Sequence, residues 1–154
     1  MKKIKFYIGI LAIICTWLLQ LHTPVQAYAS TITKQYFLDG SYIETELIYE
    51  NTLRTTMNGA KKRSTYKNAS GEALWYGEVN ANFYFDGKSS KCTSATVSAG
   101  SYNNLWKIKS KQVSKSGNSA LGTVIGSSYT TTGVLIGNKT LNITLSCDKN
   151  GKIS

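Results

Sequence analysis

Two serine–lysine spacings, Ser64-Thr65-Tyr66-Lys67 and Ser146-Cys147-Asp148-Lys149, have the form of an acyl-serine nucleophile with its base. That chemistry places the pair three apart on a helix, where both side chains share a face; on a strand the same spacing puts them on opposite faces. Neither a Ser-Asp-Asn nor a Lys-Thr-Gly partner occurs, so both are set aside. The one histidine, His22, falls in the N-terminal segment described below. Its position removes Ser-His and Cys-His nucleophiles and most transition-metal sites from the rest of the chain. Glu44 and Glu46 share a strand face, and Glu78 stands in another strand. The first two would serve as an acid/base pair only with a substrate lying against them; a solvated edge that discourages aggregation is the simpler reading. No catalytic, cofactor-binding or metal-ligating residue is therefore expected, and the chain is read as a non-enzyme.

Binding chemistry is better represented. Lys107, Lys109, Lys111 and Lys115 alternate with small and apolar residues, and Lys61, Lys62 and Arg63 form a second cluster. The stripe is a candidate face for an anionic ligand such as a cell-wall polymer, glycan or lipid; the plainer reading is a solvated strand that keeps an edge from pairing. No aromatic platform interleaves it, so no specific nucleic acid is expected. Tyr36, Tyr42, Tyr49 and Tyr76 could line a carbohydrate or peptide surface, although tyrosine is also favoured simply for being in a sheet.

The N-terminus reads as an address. Lys2, Lys3 and Lys5 precede an apolar run from Phe6 to Leu21, and Val25-Gln26-Ala27-Tyr28-Ala29 offers small residues for cleavage. This is the layout of a secretory signal peptide, residues 1–29, with cleavage after Ala29 or, second, after Ala27. The run is shorter than the ~20 apolar residues that span a bilayer, so no transmembrane segment is expected after cleavage. The remaining domain, residues 30–154, loses three lysines and falls from +10 to +7 in formal charge. Secretion is the expected destination, outside the cell or loosely on its wall.

The elements that must position these residues read almost wholly as strand. Asp39-Gly40 should join Thr31–Leu38 to Ser41–Tyr49, and Asn58-Gly59 should join Leu53–Met57 to Ala60–Lys67, each as a two-residue hairpin. Asn68–Gly71 interrupts the pattern. Ala73, Trp75, Val79, Ala81, Phe83 and Phe85 then alternate with Glu78, Asn80 and Asn82, one face apolar and one wet. A tight Asp86-Gly87 turn would set Cys92 opposite Ala81, on the apolar side. Leu105–Val113 and Ser119–Tyr129 flank Ser116-Gly117-Asn118. Gly137-Asn138 should set Val134 opposite Leu141, with Leu141, Ile143, Leu145 and Cys147 on one inward face. Both cysteines thus point inward, and Cys92–Cys147 is the expected disulfide of an exported protein. About eight strands without helix predict an all-β, antiparallel sandwich or flattened barrel.

Cys92, Trp106 and Cys147 resemble the cysteine–tryptophan–cysteine layout of immunoglobulin domains. Several strands precede Cys92, seven residues follow Cys147 and residue 145 is Leu, so Ig-like packing without membership of that family is expected. A wider resemblance runs through Asp39-Gly40-Ser41-Tyr42-Ile43-Glu44, Tyr66-Lys67-Asn68, Leu74-Trp75, Phe83-Tyr84-Phe85-Asp86-Gly87-Lys88, Cys92-Thr93, Trp106-Lys107-Ile108, Lys115-Ser116-Gly117-Asn118 and Leu145 to Gly151. In these stretches the chain resembles small secreted proteins of Gram-positive bacteria that have no known activity. The resemblance implies an exported β-rich module and transfers no site residue. The function expected is a non-enzymatic extracellular binding or structural module at the cell envelope. The alternative is a secreted antagonistic protein, bacteriocin-like or toxin-like, acting on anionic membranes.

Overall fold

The computed structural model of the chain describes residues 29–49 and 56–154. The expected leader lies outside them except for Ala29, which opens the first strand. Alternating β-branched, aromatic and polar residues make strands of this sequence. Among the described residues these are β1 Ala29–Tyr36, β2 Tyr42–Tyr49, β3 Met57–Lys67, β4 Ala73–Phe85, β5 Ser90–Ser101, β6 Trp106–Ser116, β7 Ser119–Tyr129 and β8 Leu135–Ser146. They form two open antiparallel sheets, ordered β1-β2-β3-β4-β5 and β6-β7-β8. Neighbours in each sheet are consecutive in the chain, so the likeness to immunoglobulin domains does not extend to their Greek-key connections.

The alternating segments are where the core forms. On β4, Trp75, Val79, Ala81 and Phe83 are buried, and Ala120 and Val124 of β7 with Leu141, Ile143 and Leu145 of β8 face them. Each of the larger side chains contributes about 1.5–3 kcal/mol on leaving water. The two layers meet closely because β7 carries glycine where β4 is bulkiest. A Cβ on Gly126 would stand 2.5 Å from the Trp75 ring, and one on Gly122 would collide with Val79. Trp75, rather than Trp106, is the fully buried tryptophan; the half-buried Trp106 ring stacks on it at 6.0 Å. The Trp75 indole N–H is buried without a partner among the described residues, a cost the aromatic packing around it must offset.

Turn chemistry departs from expectation at four places. Asn58-Gly59 is not a hairpin: both residues lie inside β3, opposite Phe83 and Asn82. Gly137-Asn138 likewise lies inside β8, opposite Ser128 and Ser127, and the β7–β8 turn is made at Thr130–Gly133, where Gly133 has φ +85°. Neither Gly59 nor Gly137 has the positive φ a type I′ turn requires; Gly59 is held in the ladder opposite Asn82 of β4, and Gly137 opposite Ser128 of β7. The Asp86-Gly87 loop has four residues, so Phe85 pairs with Ser90 and Cys92 lies opposite Phe83 instead of Ala81. The shift is by two, which preserves the inward face. The first hairpin closes at Tyr36 and Tyr42 around a five-residue loop, because the Asp39 carboxylate accepts the Ser41 backbone N–H and stiffens a wider turn. The Ser116-Gly117-Asn118 loop falls where expected but is shorter: Ser116 pairs with Ser119, leaving Gly117-Asn118 as a two-residue turn between β6 and β7.

Candidate functional site

One face of the five-stranded sheet covers the core, and the other carries side chains with binding chemistry. The strand register sets that outer face in rows. Tyr36, Tyr42 and Lys67 form one; Lys34, Glu44, Thr65 and Tyr76 the next; then Glu46, Arg63, Glu78 and Ser98; then Ile48, Lys61, Asn80 and Thr96; and finally Gly59, Asn82 and Ser94. Alternation does this without any loop: residues opposite each other across a ladder share a face. Tyr36, Tyr42 and Tyr76 therefore come together on one surface. The Tyr49 side chain lies outside the described residues.

Glu78 is the feature that alternation alone misses. Its parity is outward, as expected, yet it is 6% exposed. Arg63 explains the burial: its Nε donates to Glu78 Oε2 at 2.8 Å, its Nη2 lies 2.7 Å from the same oxygen, and its guanidinium stacks 4.5 Å over the Tyr76 ring. Tyr76 in turn packs on Tyr102 at 5.3 Å. Lys61 approaches the other carboxylate oxygen at 3.8 Å. The charge is thus neutralised and roofed by planar groups, and the roof is itself a partly exposed aromatic and guanidinium surface.

Beyond this cluster the face opens into a shallow hollow of about 420 Å³, lined by Ile48, Lys61, Asn80, Asn82, Ser94 and Thr96 over the floor of Gly59, Ala60 and Ala81. Gly59 creates the room: a Cβ there would stand 3.0 Å from Asn82 Oδ1. Asn82 Nδ2 donates to Ser94 Oγ at 2.9 Å and Asn80 Nδ2 to Glu78 Oε1 at 3.4 Å, which orients both amides. Ammonium, amide and hydroxyl groups thus project from rigid strands. Such a set can exchange several hydrogen bonds with a polyhydroxylated ligand, and the neighbouring rings can stack on its apolar faces.

At the other side of the cluster, Lys67 Nζ lies 2.7 Å and Lys34 Nζ 3.5 Å from the Glu44 carboxylate. Hydrogen bonding from Lys67 holds the Glu44 carboxyl below its ordinary range, and Glu44 raises the Lys67 ammonium in return. Both lysines sit over the Tyr42 ring. Glu44 and Glu46 are therefore neighbours in a charge ladder; Glu44 is committed to cations.

The basic residues singled out in the sequence are divided by the fold. Lys61 and Arg63 serve Glu78, whereas Lys62 has inward parity and donates to the Thr144 carbonyl on the edge of β8 at 2.9 Å. Burial lowers the Lys62 pKa. The stripe on β6 is broken by a register shift between Ile108 and Ser110. Lys107 lies outward opposite Ser127, Lys109 is the extra residue, and Lys111 and Lys115 lie opposite the inward residues Val124 and Ala120. All four lysines are exposed, but a single alternating face does not hold them. Lys115 instead donates to the Thr93 carbonyl at 2.7 Å.

Cys92 and Cys147 are both buried, as expected, but they are free thiols and not a disulfide. They flank one turn: Cys92 N–H donates to the Gly117 carbonyl and Cys147 N–H to that of Asn118. Each thiol is directed to a carbonyl on its own segment, Ser94 for Cys92 and Asp148 for Cys147. Burial pushes both thiols above their ordinary pKa.

No protein-family model, curated protein or solved structure matches this chain. Among the described residues no group of three or more His, Cys, Asp or Glu could hold a metal ion, and no helix is long and apolar enough to cross a membrane. The sequence reading missed Ser94 and Thr96, because it did not resolve β5 beyond Cys92. The wet face of β4, Asn80 and Asn82, was the available signal; the register then adds their partners on β5.

Proposed function

We propose that this chain is an exported, non-enzymatic binding module of the cell envelope, built as a β-sandwich, whose outer five-stranded face holds a glycan. One observation carries the reading. The hollow formed by Lys61, Asn80, Asn82, Ser94 and Thr96 lies on the same rigid face as the Arg63–Tyr76–Tyr102 stack. Polyhydroxylated ligands are held by this combination of oriented hydrogen-bonding groups and aromatic planes.

The surrounding charge narrows the ligand. Glu78 and Glu44 are each matched by two cations, and the whole chain has 18 Lys and Arg against 8 Asp and Glu. A glycan bearing carboxylate or phosphate groups, such as an anionic wall polymer, is favoured over a cationic one. Export is supported by the leader layout and by the resemblance to small secreted proteins.

The test is a glycan array probed with the protein and with Asn80→Ala/Thr96→Ala. The module reading requires binding to a coherent class of glycan that the double variant loses. Retention of a bright, coherent signal by the double variant would place the site elsewhere.

A further inference from the structure

The two ends of the sheets differ in composition. At one end are the turns β1–β2, β3–β4, β5–β6 and β7–β8; at the other the chain enters β1 and runs between β2 and β3 through the undescribed residues 50–55. Of the ten exposed large apolar and aromatic residues among those described, six stand at the first end: Tyr36, Leu38, Tyr102, Val134, Leu135 and Ile136. Leu38 and Ile136 are 110% and 68% exposed.

Two further observations say what such an end fits. The first is the backbone. In the β1–β2 turn, Phe37 N–H donates to Ser41 O and Gly40 N–H to Phe37 O; in the β7–β8 turn, Thr130 N–H donates to Val134 O and Gly133 N–H to Thr130 O. Val134 N–H is taken by the Thr130 hydroxyl and Ser41 N–H by the Asp39 carboxylate. Three of the five N–H groups in each turn are thus satisfied internally, which lowers the cost of bringing the turn to an apolar boundary.

The second is charge. Lys139 lies 4.9 Å from the Phe37 ring, and Lys107 lies 5.2 Å from the ring of Tyr129, the partner of Leu135. These ammonium groups stand just behind the apolar tips. Of the carboxylates at this end, Glu44 is held by Lys67 and Lys34; Asp39 and Glu72 keep their charge, Asp39 accepting from Ser41 in the field of Lys139 and Glu72 accepting from Asn68. Apolar tips, tyrosines beside them and lysines one layer back match the strata of an anionic bilayer: acyl boundary, interface and headgroups.

We propose that this end of the molecule docks shallowly on an anionic lipid bilayer, with Leu38 and Val134–Ile136 below the headgroups and Lys107 and Lys139 among them. The apolar side chains come from the β1–β2 turn and from the end of the β7–β8 turn with the first residues of β8, a shape suited to a deformable bilayer. The proposal does not rest on the glycan reading and uses different residues.

Hydrogen exchange of the full chain, followed by mass spectrometry, separates this surface from any effect of the N-terminal apolar run. Adding vesicles with one third phosphatidylglycerol should slow exchange in peptides covering residues 36–41 and 130–137. Phosphatidylcholine alone should do so weakly. Leu38→Ser/Leu135→Ser/Ile136→Ser should lose that protection and need at least about tenfold more lipid, and Lys107→Glu/Lys139→Glu should weaken it most at low salt. Asn80→Ala/Thr96→Ala should keep it. Protection confined to residues 1–28, no protection at all, or an unaltered triple variant would overturn the proposal.

Discussion

Arg63 and Glu78 meet across β3 and β4 with guanidinium Nη2 2.7 Å from carboxylate Oε2, on the side of the sheet that faces away from the core. The carboxylate is nonetheless almost sealed, since Arg63 lies between it and water while stacking on Tyr76. An ion pair roofed in this way fixes the aromatic surface above it. Its loss should therefore disturb both stability and recognition.

Arg63→Ala leaves Glu78 in its buried position with only Lys61, at 3.8 Å, as a cationic partner. The expected cost is about 2 kcal/mol, reduced from that of a fully buried pair because Arg63 is itself partly exposed. Adding Glu78→Gln should recover part of it. Urea denaturation of the single and double variants measures both values; an Arg63→Ala protein as stable as the parent would show the pair to be incidental.

Close approach of the sheets makes Gly126 sensitive. Gly126→Ala puts a methyl 2.5 Å from the Trp75 ring, which cannot move without displacing Trp106 and Tyr66. Overpacking of this kind should cost about 1–3 kcal/mol. Thermal denaturation should show a lowered midpoint, with a red shift of tryptophan emission in the folded state. Gly87→Ala, where a Cβ meets nothing within 4 Å, should leave the core emission unchanged.

Acid should weaken the first hairpins through Glu44. Its folded carboxyl is held below the ordinary range by the Lys67 hydrogen bond, so the unfolded chain takes up the proton first as pH falls. Stability from this pair is complete above about pH 4.3 and is lost as pH falls through the lower folded value. Lys67 is raised, so its share persists through neutral pH and fades only in strong alkali. Glu44→Gln should flatten the acid limb of midpoint against pH; an unchanged limb would contradict the assignment.

Burial of Cys92 and Cys147 should govern their reactivity. Thiols held above their ordinary pKa and out of solvent react slowly with alkylating reagents. Intact-mass analysis after iodoacetamide at neutral pH should find both unmodified in the folded protein and both modified in denaturant without reductant. Rapid labelling of either residue in the native state would mean that the Gly117-Asn118 turn opens.

The legible part of the fold was the part governed by alternation. Trp75, Val79 and Phe83 on β4, and Leu141, Ile143 and Leu145 on β8, all lie on the faces their spacing requires. Turn positions were less legible, since Asn-Gly and Gly-Asn pairs state a local preference that a continuing ladder overrides, as at Gly59 and Gly137. Bulges were illegible. The extra residue at Lys109 divides a stripe that strict alternation unites, and no residue type announces it. The outer-face site was half visible: Asn80 and Asn82 were assigned to the wet face, while Ser94 and Thr96 depended on a second bulge, the extra residue Thr93 between the Phe83–Cys92 and Asn82–Ser94 pairs. Glu78 was assigned correctly to a face and wrongly to water, because its burial comes from Arg63, fifteen positions away.

The central claim is that the outer face of β3, β4 and β5 receives a glycan. Two-dimensional amide NMR of the isotopically labelled protein, titrated with fragments of an anionic wall polymer, tests it directly. The account predicts saturable shifts at Lys61, Asn80, Asn82, Ser94 and Thr96, with side-chain amides of both asparagines among the largest. Shifts confined to β6, β7 and β8, or none at millimolar fragment, would contradict it.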